Sequence, residues 1–87
     1  MNDKIAELRN AIDQQDELLW SAIGKRMELV KEIGEQKRQE QISVVQPQRY
    51  AEVLAHCKEV AARYQLPPEL VEEIMDMIHQ ESIRVES

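Results

Sequence analysis

The sequence predicts an all-α domain of three helices, the first about twice as long as the others. Three observations predict it. Apolar residues recur at spacings of three and four along most of the chain. Two Gly, three Pro and an abundance of Ala, Glu, Gln, Leu, Ile and Met favour helix. The helical period lapses at two places, a β-branched stretch after Glu40 and a Pro pair after Leu66.

The first helix is expected from about Asn2 or Asp3 to about Gln39. Either Asn2 or Asp3 can serve as N-cap, with acids following in the first turn. Its apolar stripe is Ile5, Leu8, Ile12, Leu19, Ile23, Val30 and Ile33, uninterrupted by Pro. Gly24 and Gly34 each weaken a helix by roughly 1 kcal/mol relative to Ala, so they read as close-packing points rather than breaks. Such a helix is about 55 Å long. A globular chain of 87 residues is only about 26 Å across by radius-of-gyration scaling.

Gln41 to Gln46 loses the helical period and reads as a loop. Pro47 opens the second helix at its first position, running to about Tyr64 with the stripe Tyr50, Val53, Cys57, Val60, Ala61 and Tyr64. Leu66-Pro67-Pro68 ends it. The third helix is expected from about Pro68 to the end, with the stripe Leu70, Val71, Ile74, Met77, Ile78 and Val85. Ser82 and Glu86 lie one turn apart on its flank. No repeat, low-complexity tract or linker divides the chain, so residues 1–87 read as a single domain. Two short helices cannot cover both ends of the long one. A second copy can, which predicts an obligate, intertwined homodimer with two-fold symmetry. A plain coiled coil fits less well, because Gln15 and Arg26 break the seam.

The formal net charge is −6, against the basic patch that nucleic-acid binding requires. Cys57 is the only cysteine, so no internal disulfide forms and a reducing cytoplasm fits best. No run of 18 apolar residues and no signal-peptide pattern is present, so no membrane association is expected.

Against that background, Arg26 and Lys37 stand out. At about 100° per residue both fall within about 40° of Ile33, among Leu8, Leu19, Ala22, Leu29 and Val30. A cation there costs free energy unless an anion meets it. Either a carboxylate elsewhere in the fold neutralises them, or a ligand does. Arg49 lies about 40° from Val53, also inside its stripe. Arg9 lies about 120° from Ile33, at the edge, where it could face a partner chain. Guanidinium forks suit carboxylates, and Lys37 adds a compact point charge, so a ligand with two carboxylates would balance the set. Taken singly, each residue has a plainer reading: a structural ion pair for the arginines, the helix dipole for Lys37, a helix contact for Ser82 and a solvated acid for Glu86. The joint arrangement on three helices is what points to a ligand. His56 and His79 sit on different helices without a second Cys, which argues against a metal site. No glycine-rich phosphate loop, Ser–His–Asp or Cys–His grouping is suggested by spacing. An enzyme built this way would work by positioning and electrostatics, with no covalent step.

With these residues assembled, the chain resembles the all-helical class of chorismate mutases. Leu8-Arg9-Asn10-Ala11-Ile12-Asp13-Gln14-Gln15-Asp16 resembles that family's L-R-x-x-I-D-x-x-D opening. Lys25-Arg26-Met27-Glu28-Leu29-Val30 resembles its R-x-x-L/V centre, and Ile33-Gly34-Glu35-Gln36-Lys37 its I/V-G-x-x-K end. Gln46-Pro47-Gln48-Arg49 resembles the start of its second helix, and Ile78-His79-Gln80-Glu81-Ser82 its third-helix segment. Each piece is weak alone; all in order, at compatible spacing, are specific. The resemblance implies an intertwined dimer with two shared sites that rearranges chorismate to prephenate without a cofactor. It implies that Arg26 of one chain and Arg9 of the other clamp the substrate carboxylates, with Arg49 adding charge and Ser82 assisting. Lys37 and Glu86 would meet the ether oxygen from two sides, and the loop backbone near Gln46 would approach the ring hydroxyl.

Two positions depart from the family pattern. Where it often has Glu contacting the substrate hydroxyl, this chain has Tyr50. Where it often has Gln at the ether oxygen, this chain has Glu86, which donates only when protonated. The resemblance also implies two alternatives: an isochorismate pyruvate-lyase, or a mutase-like regulatory module fused to or bound by another shikimate-pathway enzyme. A non-catalytic helical dimer would instead pair its cations internally.

Overall fold

The computed structural model of the chain describes residues 3–87. It contains three helices, α1 (Lys4–Glu40), α2 (Pro47–Ala62) and α3 (Pro68–Glu86), and no strand among the described residues. Of the two expected caps for α1, Asp3 precedes the helix without a side-chain cap bond, and its carbonyl accepts from Glu7 N–H at 2.9 Å. Asn2 lies outside the described residues.

Both interhelical turns use a left-handed glutamine. Gln41 takes φ 58°, the Ile42 N–H reaches back to the Lys37 carbonyl at 2.8 Å and the Gln41 N–H to that of Arg38. This six-to-one and five-to-two pattern satisfies the carbonyls that the helix end would orphan. Gln65 takes φ 63° and closes α2 in the same way, with Leu66 N–H on the Ala61 carbonyl. That turn stops α2 at Ala62, two residues short of the expected end, and leaves Tyr64 outside the stripe and 74% exposed. A non-glycine residue in this region costs roughly 1–2 kcal/mol, which the capping bonds offset.

The helix α3 lies between the other two, packing on α1 along one side and on α2 along the other. Lys58 and Glu72 add an ion pair at 3.3 Å between α2 and α3. The buried apolar core is small: Val30, Val71 and Met75. Met75 is outside the expected α3 stripe, whereas Leu70, Ile74 and Met77 of that stripe are exposed. Ser82 and Glu86 are not flank residues; they are the buried polar side chains of the fold.

Most of α1 has no cover. Ile5, Leu8, Ile12, Leu19 and Trp20 are 51–66% exposed, and α3 packs only on the C-terminal part. The molecule measures 62 × 23 × 16 Å with a radius of gyration of 16.7 Å, against about 12 Å for a globular chain of this length. An apolar stripe this long exceeds what a soluble monomer exposes as scattered residues.

Gly34 is where α3 closes on α1. A Cβ at Gly34 would lie 2.9 Å from the Glu86 Cα and 3.2 Å from its carbonyl oxygen, so the two backbones touch only because Gly34 has no side chain. Gly24 meets nothing within 4 Å in the same chain, so the close-packing expectation holds for Gly34 and not, within one chain, for Gly24. Gly34→Ala sets a helix-propensity gain of about 1 kcal/mol against overpacking of about 1–3 kcal/mol. The expected result in urea unfolding is net destabilisation; a gain of the full propensity term would show that α3 does not press on this point.

Candidate functional site

The end of α1, the loop after it, the first turns of α2 and the last turns of α3 enclose a cleft of about 190 Å³. Of the candidate residues, Arg26, Lys37, Gln46, Arg49, Ser82 and Glu86 line it, together with Tyr50 and His79. Helical spacing explains the convergence. Arg26 and Lys37 are three turns apart on one face of α1, and His79, Ser82 and Glu86 recur at three and four on the facing side of α3.

At one end, the Lys37 Nζ donates to Glu86 Oε1 at 2.5 Å and to the Val44 carbonyl at 3.2 Å. The two side chains are only 13% and 10% exposed, so this is not a solvent-screened surface pair. An ammonium has three donors, and two are used; the third is free for a ligand. Arg38 anchors the acid from behind, donating to the Glu86 carbonyl at 2.9 Å. In the middle, Arg26 Nη1 donates to Ser82 Oγ at 3.1 Å, while the Ser82 hydroxyl gives its proton to the Ile78 carbonyl at 2.8 Å. Ser82 therefore accepts from Arg26 and holds its guanidinium in place without neutralising it.

Arg49 enters from α2 and makes no hydrogen bond or ion pair among the described residues. The cleft thus carries three cations against one carboxylate. The choice between internal neutralisation and a ligand resolves residue by residue: Lys37 has its carboxylate, Arg26 and Arg49 do not. Arg9 is not brought to the cleft. It sits roughly 26 Å from Arg26 along α1 and is exposed on the uncovered half of that helix.

Tyr50 and His79 form the other end. Their rings stack with centroids 3.8 Å apart and planes 9° from parallel, a contact between α2 and α3. The Tyr50 hydroxyl donates to Asp76, one turn before His79. Burial, then the bond to Asp76, push the Tyr50 phenol up to about 12. From sequence, His79 is set aside as a metal ligand and is included in the third-helix segment without a role in the site. Its i, i+3, i+7 register with Ser82 and Glu86 is the signal that places it here.

Comparison with known proteins identifies the lineage. The family model for chorismate mutase type II matches residues 8–87. The chain is 33% identical over 84 residues to the T-protein of Enterobacter agglomerans, covering 97% of this chain and 22% of that protein. It is also 33% identical over 84 residues to the 4-amino-4-deoxychorismate mutase of Streptomyces pristinaespiralis, covering 97% of this chain and 65% of that one. The chain therefore spans less than two thirds of the length of either relative. No solved structure matches it. The chain belongs to the chorismate mutase type II family. No helix among the described residues is long and apolar enough to cross a membrane.

The Tyr50 contact has a measurable signature. A raised phenol pKa means the fold favours the neutral form, so its contribution is complete below about 10, the unfolded value, and is lost as pH rises through about 12. In a Tyr64→Phe background, where Tyr50 is the sole tyrosine, ultraviolet titration should place the phenol near 12. Asp76→Asn should lower it; an unchanged value would remove Asp76 as a cause.

Proposed function

We propose that this chain is a chorismate mutase, an isomerase that rearranges chorismate to prephenate on the route to phenylalanine and tyrosine. The observation that carries the reading is the cleft itself: two unneutralised guanidiniums beside a lysine whose remaining donor is free. A dianion with an ether oxygen between its carboxylates fits that charge pattern. Arg26, supported by Ser82, and Arg49 take up the carboxylates, and the loop at Gln46 approaches the ring hydroxyl. Lys37 and Glu86 flank the ether oxygen.

The reaction is intramolecular. The C–O bond breaks as the new C–C bond forms, and no atom leaves. Binding holds the enolpyruvyl arm over the ring in the reactive conformer. Lys37 then stabilises negative charge growing on the ether oxygen, a contribution worth roughly 3–4 kcal/mol per preorganised donor. Arg26 and Arg49 meet charge present throughout, so they contribute mainly to binding.

We further infer that residues 1–87 act as one domain in a two-fold homodimer whose long helices cover each other. The uncovered stripe from Ile5 to Trp20 supports this, as does the distance of Arg9 from its own cleft. In the dimer each site takes Arg9 from the partner chain. The T-protein relative is several times longer than this chain, which supports a reading in which such domains also work beside another catalytic unit. The name of the other relative specifies an amino-bearing substrate, so the ring substituent is the open variable of specificity. A pyruvate-lyase acting on isochorismate is the alternative enzyme, kept in view by Tyr50 standing where the family often has Glu.

The test is chorismate disappearance with product identification. Prephenate is the expected product; release of pyruvate from isochorismate, with chorismate untouched, would favour the lyase. Arg9→Ala and Lys37→Ala should each lower kcat/KM by about 10²-fold or more. Mixed after co-refolding, the two inactive chains should recover about a quarter of wild-type activity, because half the dimers are hybrids with one intact site in two. A loss under about tenfold in Lys37→Ala would remove Lys37 from the site, and no recovery on mixing would contradict the shared dimer.

A further inference from the structure

Lys37 and its neighbour Arg38 hold Glu86 from two sides. Consecutive residues of a helix point about 100° apart, so the two cations reach different groups. Lys37 takes the Glu86 carboxylate inside the cleft, and Arg38 takes its backbone carbonyl, Nη1 donating at 2.9 Å. Arg38 does not line the cleft. Its guanidinium has no ion pair among the described residues, so no carboxylate competes for it. The carbonyl lies in the last turn of α3, where a helix leaves its oxygens without intrahelical donors and with partial negative charge. A guanidinium meets both needs at once, supplying an N–H and an opposite charge. Gly34 stands one turn before Arg38 on the same face of α1. A Cβ there would lie 2.9 Å from the Glu86 Cα and 3.2 Å from that same carbonyl oxygen. Gly34 thus admits the last turn of α3, and Arg38 closes over it. The end of a helix is where fraying starts, and here that turn carries the carboxylate that faces Lys37.

We propose that Arg38 is a positioning residue for the Lys37–Glu86 pair: by binding the Glu86 carbonyl it keeps the last turn of α3 on α1, the carboxylate against Lys37, and the free Lys37 donor at one point in the cleft. Arg38 touches no substrate itself. Its bond is to the Glu86 backbone, yet its effect on the site is carried by the Glu86 side chain. That separation gives it a signature that general stabilisation lacks. Replacing the Glu86 side chain leaves the carbonyl, and with it the bond to Arg38, in place. It removes only what the bond positions.

This inference rests on reading the cleft as the chorismate site, so a readout besides turnover accompanies the kinetics. Arg38→Met should lower kcat about tenfold, the usual effect of losing one charge-assisted hydrogen bond. KM should stay within about twofold, since Arg26 and Arg49 are untouched. Arg38→Lys, which keeps a charged donor, should restore most of the rate. In a Glu86→Ala background Arg38→Met should lower kcat by under about twofold, whereas its effect on urea unfolding should be the same in both backgrounds. An equal kcat penalty in both would overturn the proposal and assign Arg38 to general stability or to a field acting directly on the substrate. The second readout is the Lys37 ammonium resonance in a nitrogen-15 spectrum, its exchange slowed by the bonds to Glu86 and Val44. It should be seen in the wild type and in Arg38→Lys and be lost in Arg38→Met; persistence in Arg38→Met would overturn the proposal. Wild-type protein that gives this pattern but leaves chorismate unconverted would contradict the mutase reading and leave the role of Arg38 standing.

Discussion

The contact between Lys37 on α1 and Glu86 on α3 is the constraint on which the rest of the structure depends. It joins the end of the longest helix to the end of the chain, 49 residues apart. Three separate features hold it. Gly34 lets the Glu86 backbone approach to a distance that any side chain would forbid. Arg38 fixes the Glu86 carbonyl. The left-handed turn at Gln41 folds the loop back so that the Val44 carbonyl takes a second Lys37 proton. A charged pair this far from water gains little net stability, because desolvation offsets most of the attraction. Its consequence is positional: one N–H of Lys37 is left at a fixed point in the cleft.

The fold tolerates a charge imbalance around that point. Arg26 leans on a serine hydroxyl, and Arg49 has no partner among the described residues. Arg26 is half-buried and Arg49 exposed; in the proposed site the carboxylates of a dianion would pair with both. The uncovered apolar stripe of α1 has the same logic one level up. Among the described residues only three apolar side chains are buried, none of them completely, too little for an independent domain at the usual scale of hydrophobic stabilisation. In the proposed dimer with its bound dianion, both deficits, of charge and of burial, would be met from outside the chain.

Much of this was legible in the sequence, for identifiable reasons. The three helices follow from apolar periodicity and from Pro47 and Pro68 at first helical positions, and the observed bounds fall within two residues of those expected. Arg26, Lys37 and Arg49 were visible because cations inside an apolar stripe violate the pattern around them. The partners of those cations were not visible. Whether Lys37 meets a carboxylate and Arg26 a hydroxyl depends on how α3 is rotated against α1, which a chain-local period does not specify. Tyr50 and His79 lie on different helices, and nothing in their spacing encodes a ring stack. The exposed state of Leu70, Ile74 and Met77 was hidden for another reason: an apolar stripe says that a face will be covered, not which chain covers it.

In the proposed site Lys37 and Glu86 flank the oxygen on which charge develops, and the carboxyl that pairs with Lys37 can donate to that oxygen only when protonated. The most direct measurement is kcat/KM against pH for the wild type and for Glu86→Gln. A glutamine amide donates at every pH, whereas a carboxyl donates only while protonated. The account predicts that wild-type activity falls as pH rises and that Glu86→Gln removes that fall. Profiles of the same shape would contradict it and reduce Glu86 to a support for Lys37.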